Sequence, residues 1–187
     1  MKGSDATRDV PKGLEDYRPN VGICVLNRHG QVWLGARVGL GEDETHARHR
    51  WQMPQGGIDA GEDVLAAALR ELEEETSIRT VRLLTLTPGW LAYDFPEAYR
   101  RDGRKKKWRG QRQRWAIVLF EGEETEIDLM TDEPEFDAWR WASVEEAVAS
   151  VVPFKRRVYE ALAECVLPLS AYVAMKEGVA VREGGAT

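Results

Sequence analysis

The sequence predicts an α/β protein of the α+β kind, in which helices pack against a mixed β-sheet. Two observations lead to this fold class. Short apolar runs of strand length recur through most of the chain, and a few amphipathic helical segments are interspersed among them. Because the helices do not follow the strands one by one, this order differs from the regular βαβ alternation of a doubly wound fold and predicts an α/β sandwich.

Several short runs have the length and pattern of β-strands. Residues 21–26 and 32–37 flank a loop that ends in Gly30, which predicts a β-hairpin. Residues 115–120, Trp-Ala-Ile-Val-Leu-Phe, are continuously apolar and predict a central strand that is buried on both faces. Further strands are predicted at residues 81–86, 90–95 and 125–129, with an edge strand at residues 139–141.

The clearest helix is predicted over residues 61–76. Asp59 can cap its start, with Glu62 three residues later as in a capping box. Leu65, Leu69 and Leu72 then follow at the i, i+4 and i+7 positions of one helix face. This pattern predicts an amphipathic helix with one side on the sheet.

Two more helices are predicted near the C-terminus. Ser143 and Glu146 form a second capping box and predict a short helix. Pro153 suits the first turn of a helix, because a missing N–H costs no hydrogen bond there. It predicts a longer helix that ends near residue 167.

A length of 187 residues predicts one domain, which we place at residues 17–170, with a mobile lead-in at 1–16, a polar loop at 39–50 and a tail at 171–187. Cys24 and Cys165 are the two cysteines, and both are predicted to be buried thiols in a reducing compartment. We expect no membrane span and no signal peptide, because no run approaches about 18 apolar residues. These features predict a cytoplasmic protein.

The formal net charge of −6 hides an uneven distribution. Residues 100–114 contain nine basic residues and one acidic residue, so the remainder of the chain is strongly acidic. The acidic total argues against a general nucleic-acid-binding protein. A basic segment beside acidic ones is instead what a protein that holds a polyanion together with metal ions would show.

Residues 70–75 of the predicted central helix, Arg-Glu-Leu-Glu-Glu-Glu, carry four carboxylates. At about 100° per residue, Glu71, Glu74 and Glu75 share one face and Glu73 points away. A solvated acidic stripe is one interpretation of this pattern. Carboxylates clustered without His or Cys are also hard ligands that suit Mg²⁺ or Mn²⁺. Upstream, residues 56–57 are Gly-Gly, which is either a plain turn or a place where the backbone approaches an ion or phosphate.

The spacing between these two features is specific. Five residues separate Gly56 from Glu62, and seven more lead to residues 70–78, Arg-Glu-Leu-Glu-Glu-Glu-Thr-Ser-Ile. This pattern resembles the Nudix box, which combines a glycine, a glutamate and an Arg-Glu-aliphatic-x-Glu-Glu-x-Gly-aliphatic segment at the same spacing. One fixed position differs, because Ser77 stands where the family has glycine. Since Ser77 removes no metal ligand, we expect catalysis, and the alternative is a non-catalytic nucleotide- or RNA-binding module.

The resemblance extends over about residues 17–167, through segments 17–23, 51–58, 110–115, 134–141 and 151–156. These segments are similar to the branch of the Nudix family that contains RNA pyrophosphohydrolases and dinucleoside polyphosphate hydrolases. The resemblance implies an α/β/α sandwich with a mixed central sheet. It also implies a hydrolase that uses Mg²⁺ or Mn²⁺, with more than one ion bound.

The resemblance implies metal binding by five residues, which are Gly56, Glu71, Glu74, Glu75 and Glu135. One of Glu71, Glu75 and Glu135 would also act as the catalytic base. Arg70 can reach Glu74 at i+4 and hold that carboxylate in place. For Glu135, a surface acid beside a proline turn is the alternative interpretation.

Substrate contacts are implied for Arg18, Arg37, Tyr93, Phe154 and Lys155. Arginine suits such positions because its guanidinium binds phosphate in a bidentate manner. Phe154 matches a base-stacking aromatic residue, with Lys155 beside it. From the residues alone, a core residue is the preferred interpretation of Phe154, and an edge-strand aromatic is the alternative for Tyr93.

The basic loop is predicted to discriminate between substrates. Its charges and its aromatic ring suit a nucleic-acid grip made of Arg104, Lys105, Lys106, Lys107, Trp108 and Arg109, although a solvated lysine-rich loop has the same composition. Because an RNA 5′ end offers more phosphates than a dinucleotide, we expect pyrophosphate release from 5′-triphosphorylated RNA. Hydrolysis of diadenosine tetraphosphate, a dinucleoside polyphosphate, is the close alternative. No membrane and no obligate protein partner is expected.

Overall fold

The structure, a computed structural model, describes residues 10–39, 49–97, 108–131 and 133–184. The described elements form one mixed sheet with helices on both faces. The strands are β1 (Tyr17–Leu26), β2 (Val32–Arg37), β3 (Trp51–Gln52), β4 (Gln55–Gly57), β5 (Val81–Leu86), β6 (Leu91–Asp94), β7 (Gly110–Phe120) and β8 (Phe136–Ala142). The α-helices are α1 (Val64–Thr76), α2 (Val144–Ser150) and α3 (Arg156–Gly184).

The centre of the sheet is a parallel pair. Strands β1 and β7 run side by side from the Tyr17–Gly110 pair to the Leu26–Leu119 pair, and the other described pairings are antiparallel. The main strand order is β3-β2-β1-β7-β5, while β4 pairs with β1, β6 with β7, and β8 with β2. The predicted mixed sheet, its β1–β2 hairpin and its central strand are therefore confirmed.

Each face of the sheet carries its own apolar core. Helix α1 covers one face through Val64, Ala68 and Leu72. Helices α2 and α3 cover the other face, where Tyr159 packs edge-on against the Trp115 ring at 5.6 Å between centroids. Two buried layers separated by one sheet are the predicted α/β/α sandwich.

Strand β7 begins five residues before the predicted run, at Gly110 rather than residue 115. Its extra residues are polar, yet Gln111, Arg112 and Gln113 are buried. Each of the three side chains forms at least one hydrogen bond, although Arg112 Nε and Gln113 Oε1 have no partner among the described residues. The Arg112 guanidinium, for example, donates to the Leu14 carbonyl at 2.9 Å and lies 5.0 Å from the centre of the Trp90 ring.

Two local predictions were wrong. Helix α1 begins at Val64 and not at residue 61, because the side chain of Asp63 caps it by accepting the Leu65 N–H at 2.9 Å. Residues 125–129 do not form a strand, since Glu124–Glu126 is a 3-10 helix. This turn places the Glu126 carboxylate where it accepts the backbone N–H groups of Arg79 and Thr80, which fixes the start of β5.

Helix α3 is longer than predicted. A 3-10 turn at Pro153–Lys155 leads into it, and it continues through Pro168 to Gly184 instead of ending near residue 167. Val173 is buried, and the Ser170 hydroxyl donates to the Gly30 carbonyl at 2.6 Å. The helix therefore packs on the β1–β2 turn beyond residue 170, within the segment that was predicted to be a tail.

Two predictions about composition also need correction. Cys24 is buried, but Cys165 is exposed, because it lies outside the buried stripe of α3. Contrary to our expectation, the α3 region Pro153–Lys176 is long and apolar enough to cross a membrane by length and composition alone. A single such helix is weak evidence, since a core helix of a globular protein meets the same criterion, and α3 contributes Val158 and Leu162 to the core.

Candidate active site

A cleft of about 1160 Å³ opens beside the C-terminal half of α1. It exceeds the roughly 300–1,000 Å³ of a typical small-molecule site and therefore has room for a nucleoside with a polyphosphate chain. The cleft contains every predicted metal-binding, substrate-binding and positioning residue outside the basic loop. These are Arg18, Arg37, Gly56, Arg70, Glu71, Glu74, Glu75, Tyr93, Glu135, Phe154 and Lys155.

Arg70 organises the acidic end of the cleft. Its guanidinium binds Glu62 through two hydrogen bonds of 2.9 Å and donates to the Gly57 carbonyl at 2.9 Å. It also donates to Glu71 at 2.8 Å and, as predicted from the i+4 spacing, lies 3.1 Å from Glu74. The planar guanidinium of Arg70 thus connects α1 to β4 and to the residues that precede the helix.

Two glycines of β4 make room for charged side chains. A Cβ at position 56 would overlap the carboxylate of Glu71, and a Cβ at position 57 would lie 2.6 Å from the Arg18 guanidinium. The predicted Gly-Gly turn is thus a short strand that pairs with β1, and its lack of side chains lets Glu71 and Arg18 reach the backbone. The close approach of a carboxylate and a guanidinium to this strand explains both glycines.

The carboxyl of Glu75 is the most buried acid of the site. Its Oε2 atom accepts the Gln55 N–H at 3.1 Å, and burial raises its pKa well above the ordinary value. The nearby charges of Glu135 and Glu71 act in the same direction. Burial also raises the pKa of Glu71, although the Arg70 guanidinium partly opposes that effect. The site therefore gathers negative charge that a cation would stabilise.

Glu135 and Arg37 form an ion pair of 3.0 Å at the edge of the cleft. The N–H of Val38 also donates to the Glu135 carbonyl at 3.0 Å, so the end of β2 and the segment before β8 are joined by backbone and side chain. Glu135 lies close enough to Glu75 to raise its pKa. Two residues that are distant in sequence from the helix thus reach its acidic end.

The donor chemistry of this end fits a divalent metal ion. Carboxylate and carbonyl oxygens are hard ligands for such ions. At this end of the cleft the Glu71 carboxylate lies against the Gly56 backbone, in the space that a Cβ at position 56 would fill. In the part of the chain that the structure describes, no three acidic, His or Cys side chains already converge as a metal cage. Arg70 and Arg37 instead hold the carboxylates. Such an open arrangement suits Mg²⁺, which proteins usually bind through a few carboxylates together with substrate phosphates.

The opposite end of the cleft is aromatic. The rings of Tyr93 and Phe154 lie 5.7 Å apart, and Phe95 packs against Tyr93 at 5.9 Å. Lys155 lies beneath them, buried, with its ammonium 5.7 Å from the Tyr93 ring centre. Both Tyr93 and Phe154 also contact the core, so the structural and the substrate-binding interpretations of these rings are compatible.

Four members of the predicted nucleic-acid grip lie outside the described residues, namely Arg104, Lys105, Lys106 and Lys107, as does most of the predicted polar loop at residues 39–50. Its last two members do not line the cleft. Trp108 packs against the core, and Arg109 pairs with Asp94 at 2.9 Å and lies over the Tyr17 ring. These two residues therefore close the base of the β6–β7 hairpin from which the basic loop extends.

The match to a family model decides the family. The NUDIX domain model matches residues 16–162, which is most of the chain and includes the whole acidic end of the cleft. This chain belongs to the NUDIX family.

Two relatives of about 50% identity are both named RNA pyrophosphohydrolase. The RNA pyrophosphohydrolase of Rhizobium meliloti (strain 1021) is 54% identical over 149 residues, which are 77% of this chain and 89% of the relative. The RNA pyrophosphohydrolase of Caulobacter vibrioides (strain NA1000 / CB15N) is 49% identical over 148 residues, 78% of this chain and 83% of the relative.

Solved structures confirm the Nudix fold. The dihydroneopterin triphosphate pyrophosphohydrolase of E. coli matches with a TM-score of 0.56 at 18% identity, covering 78% of this chain and 96% of its own. A binary complex of the C. elegans Ap4A hydrolase matches with a TM-score of 0.51 at 19% identity, covering 83% of this chain and 98% of its own. At these identities the similarity establishes the fold alone.

The Nudix box of this chain ends in an unusual way. Ser77 adopts φ 62° and ψ 3°, the left-handed conformation for which glycine is favoured, and its N–H donates to the Glu73 carbonyl at 2.8 Å. Among the described residues it is the only one other than glycine with a positive φ. Serine thus ends the helix as glycine would, and Glu71, Glu74 and Glu75 all lie on the helix before it.

Sequence reasoning missed several polar residues of this Nudix site. The Glu73 carboxylate pairs with Arg79 at 2.9 Å and not with Arg70, although Glu73 and Arg79 both line the cleft. The cleft is also lined by four amide side chains, which are Asn20, Gln52, Gln55 and Gln111. One signal could have identified Gln111, because glutamine and arginine alternate in residues 111–114, directly before the apolar run of β7.

Proposed function

We propose that this chain is an RNA pyrophosphohydrolase, which hydrolyses the phosphoanhydride bond between the α- and β-phosphates of a 5′-triphosphorylated RNA end. Water adds to phosphorus, the anhydride bond breaks, and pyrophosphate leaves an RNA with a 5′-monophosphate. One observation carries the proposal: a single cleft joins an acidic end, arginines and an aromatic end. The name shared by relatives at about half identity supports the choice of substrate.

The residues of the acidic end fit divalent metal ions, Mg²⁺ or Mn²⁺, and the family generally uses such ions. More than one ion would be held by the Gly56 carbonyl and by carboxylates of Glu71, Glu74, Glu75 and Glu135. When bound, these ions supply charge neutralisation of the polyphosphate and orientation of water.

Arg70 acts on the carboxylates rather than on the substrate. Its bidentate contact with Glu62 lowers the pKa of that carboxyl, so Glu62 stays ionised and keeps the guanidinium in place. The fixed guanidinium then orients Glu71 and Glu74. We assign Arg70 a positioning role of this kind.

A general base must be a carboxylate that lies within reach of the attacking water. Glu71, Glu75 and Glu135 line the cleft together at its acidic end. We therefore propose that one of these three residues is the general base. Arg18 and Arg37 would hold phosphate oxygens, and Phe154 with Tyr93 would contact a base.

The test of catalysis is Glu71→Gln, assayed with Mg²⁺ on a 5′-triphosphorylated oligonucleotide. We expect turnover to fall by about 100-fold or more with the fold intact. Glu73→Gln on the same helix is the matched control, because Glu73 pairs with Arg79 and not with Arg70. Unchanged turnover by Glu71→Gln would contradict the proposal, whereas any robust wild-type turnover excludes a non-catalytic module.

The substrate class is tested separately. Initial rates are compared on the triphosphorylated oligonucleotide and on diadenosine tetraphosphate, before and after neutralising residues 104–107. We expect the RNA to be the better substrate and its rate to fall more, because it offers more phosphates to this basic segment. A faster rate on the dinucleotide would assign the chain to the dinucleoside polyphosphate hydrolases.

In either case we place the reaction in the cytoplasm, with no membrane and no obligate protein partner.

A further inference from the structure

A network of amide side chains lies beneath the aromatic end of the cleft. The Lys155 ammonium donates to the Gln52 and Gln55 side-chain carbonyls, at 3.0 Å each. The Gln113 amide nitrogen donates to Gln55 Oε1 at 3.1 Å and to Asn20 Oδ1 at 2.7 Å. Lys155, Gln113 and Asn20 are only 5%, 0% and 1% exposed, so water does not supply alternative partners.

The direction of every bond in this network follows from one cation. An ammonium can only donate, so Gln55 must turn its carbonyl oxygen toward Lys155. Because an oxygen turned toward that oxygen would repel it, Gln113 turns its NH₂ group toward Gln55, and the same NH₂ group reaches Asn20. The amides therefore have one consistent orientation rather than two, which holds the long lysine side chain in one place.

We propose that Gln55 and Gln113 are positioning residues that act through Lys155, with Gln55 as an acceptor and Gln113 as a donor. This inference rests on the proposed function, because Lys155 lies against the Tyr93 ring, which is proposed to contact a base together with Phe154. Gln55 also joins the two ends of the cleft, since its backbone N–H binds Glu75. The backbone contact does not depend on the side chain, so side-chain variants test the amide network apart from the metal-binding carboxylates.

The experiment compares Gln55→Glu with Gln113→Glu. Both substitutions add the same charge and change the volume little. They differ in the hydrogen bonds they permit and in burial, because position 113 is fully buried and position 55 is half-buried. A glutamate at position 55 still accepts from Lys155 and Gln113. A glutamate at position 113 places oxygen against the oxygens of Gln55 and Asn20.

The primary readout is the affinity for a 3′-fluorescein-labelled, 5′-triphosphorylated RNA in EDTA, measured by fluorescence anisotropy. We expect Gln113→Glu to bind about tenfold or more weakly than Gln55→Glu, because a broken buried hydrogen bond is costly. In the Mg²⁺ assay the same difference should appear in KM more than in kcat. Equal affinities of the two variants would overturn the proposal.

A second measurement covers the case in which Gln113→Glu does not fold. Gln55→Met should weaken RNA binding by the otherwise wild-type protein. It should cause no further loss in a protein that already carries Lys155→Met, because Gln55 acts through that lysine. Affinity for Mn²⁺, followed by electron paramagnetic resonance, should be unchanged in Gln55→Met. Additive effects of Gln55→Met and Lys155→Met, or a loss of Mn²⁺ binding, would overturn the proposal.

Failure of this inference can be told apart from failure of the proposed function. If the wild-type protein releases no pyrophosphate from the triphosphorylated RNA, the proposed function fails. If it does release pyrophosphate while Gln55→Glu and Gln113→Glu bind RNA equally, only the amide proposal fails.

Discussion

The carboxylate of Glu71 lies directly against the Cα atom of Gly56, where any side chain would stand. We therefore expect Gly56→Ala to displace Glu71 and to reduce turnover by about 100-fold or more, because a misplaced catalytic group costs that much. Steady-state hydrolysis of a 5′-triphosphorylated oligonucleotide measures the effect.

The control for this substitution is Gly89→Ala. A Cβ at position 89 meets no atom within 4 Å, and the backbone there does not require glycine. Turnover by Gly89→Ala should match the wild type. If Gly56→Ala were as active as the wild type, catalysis would not depend on the observed position of the Glu71 carboxylate.

Arg70→Lys should impair the site although it keeps the positive charge. The guanidinium binds Glu62 with two parallel bonds and also reaches Glu71, Glu74 and the Gly57 carbonyl, whereas an ammonium cannot span these partners. We expect kcat/KM to fall by about tenfold or more, as for loss of a group that orients a metal ligand.

The matched change for Arg70→Lys is Arg82→Lys. Arg82 forms an exposed pair with Glu121 at 2.6 Å, and neither residue lines the cleft, so its variant should retain wild-type kcat/KM. Equal values for the two variants would show that Arg70 contributes only its charge.

Glu75 makes the metal-free protein less stable as the pH rises. Its folded pKa is raised by burial and by Glu135, so the folded state binds its proton more tightly than the unfolded chain. Stability is therefore lost between the ordinary glutamate pKa and the raised folded pKa. We expect Glu75→Gln to raise Tm in EDTA, with a larger gain at about pH 8 than at about pH 5.

Thermal unfolding followed by circular dichroism provides this measurement. Glutamine keeps a carbonyl oxygen for the Gln55 N–H, so the substitution removes the charge and not the acceptor. Glu74→Gln, at an exposed position of the same helix, should show no such pH dependence. A Tm gain for Glu75→Gln that is absent or independent of pH would refute the assignment of a buried, raised-pKa carboxyl.

Ser77→Gly should stabilise the protein by about 1 kcal/mol, since a left-handed conformation costs a residue with a Cβ roughly that amount relative to glycine. Urea unfolding measures the change. Ser77→Ala keeps the Cβ and loses only the exposed bond from the Ser77 hydroxyl to the Asp128 carbonyl, so it should give no gain. A destabilising Ser77→Gly would mean that this hydroxyl contact outweighs the backbone strain.

Elements with a strong local pattern were predictable from the sequence. The β1–β2 hairpin, the apolar half of β7 and helix α1 are each defined by periodicity or by turn residues within a few positions. The polar start of β7 could not be predicted in this way. Gln111 and Gln113 resemble loop residues until their partners in other parts of the chain, such as Tyr93 and Asn20, are brought beside them.

The same division applies to the site. The family and the shared helix face of Glu71, Glu74 and Glu75 could be predicted from the sequence, because the spacing of these carboxylates lies on one helix and requires no knowledge of distant contacts. The ion pair of Arg37 with Glu135, the burial of Glu75 and the contacts of Lys155 with two glutamines became visible in the folded chain. These features depend on which strands lie side by side, and burial and pairing across the sheet are properties of the packed chain rather than of any local segment.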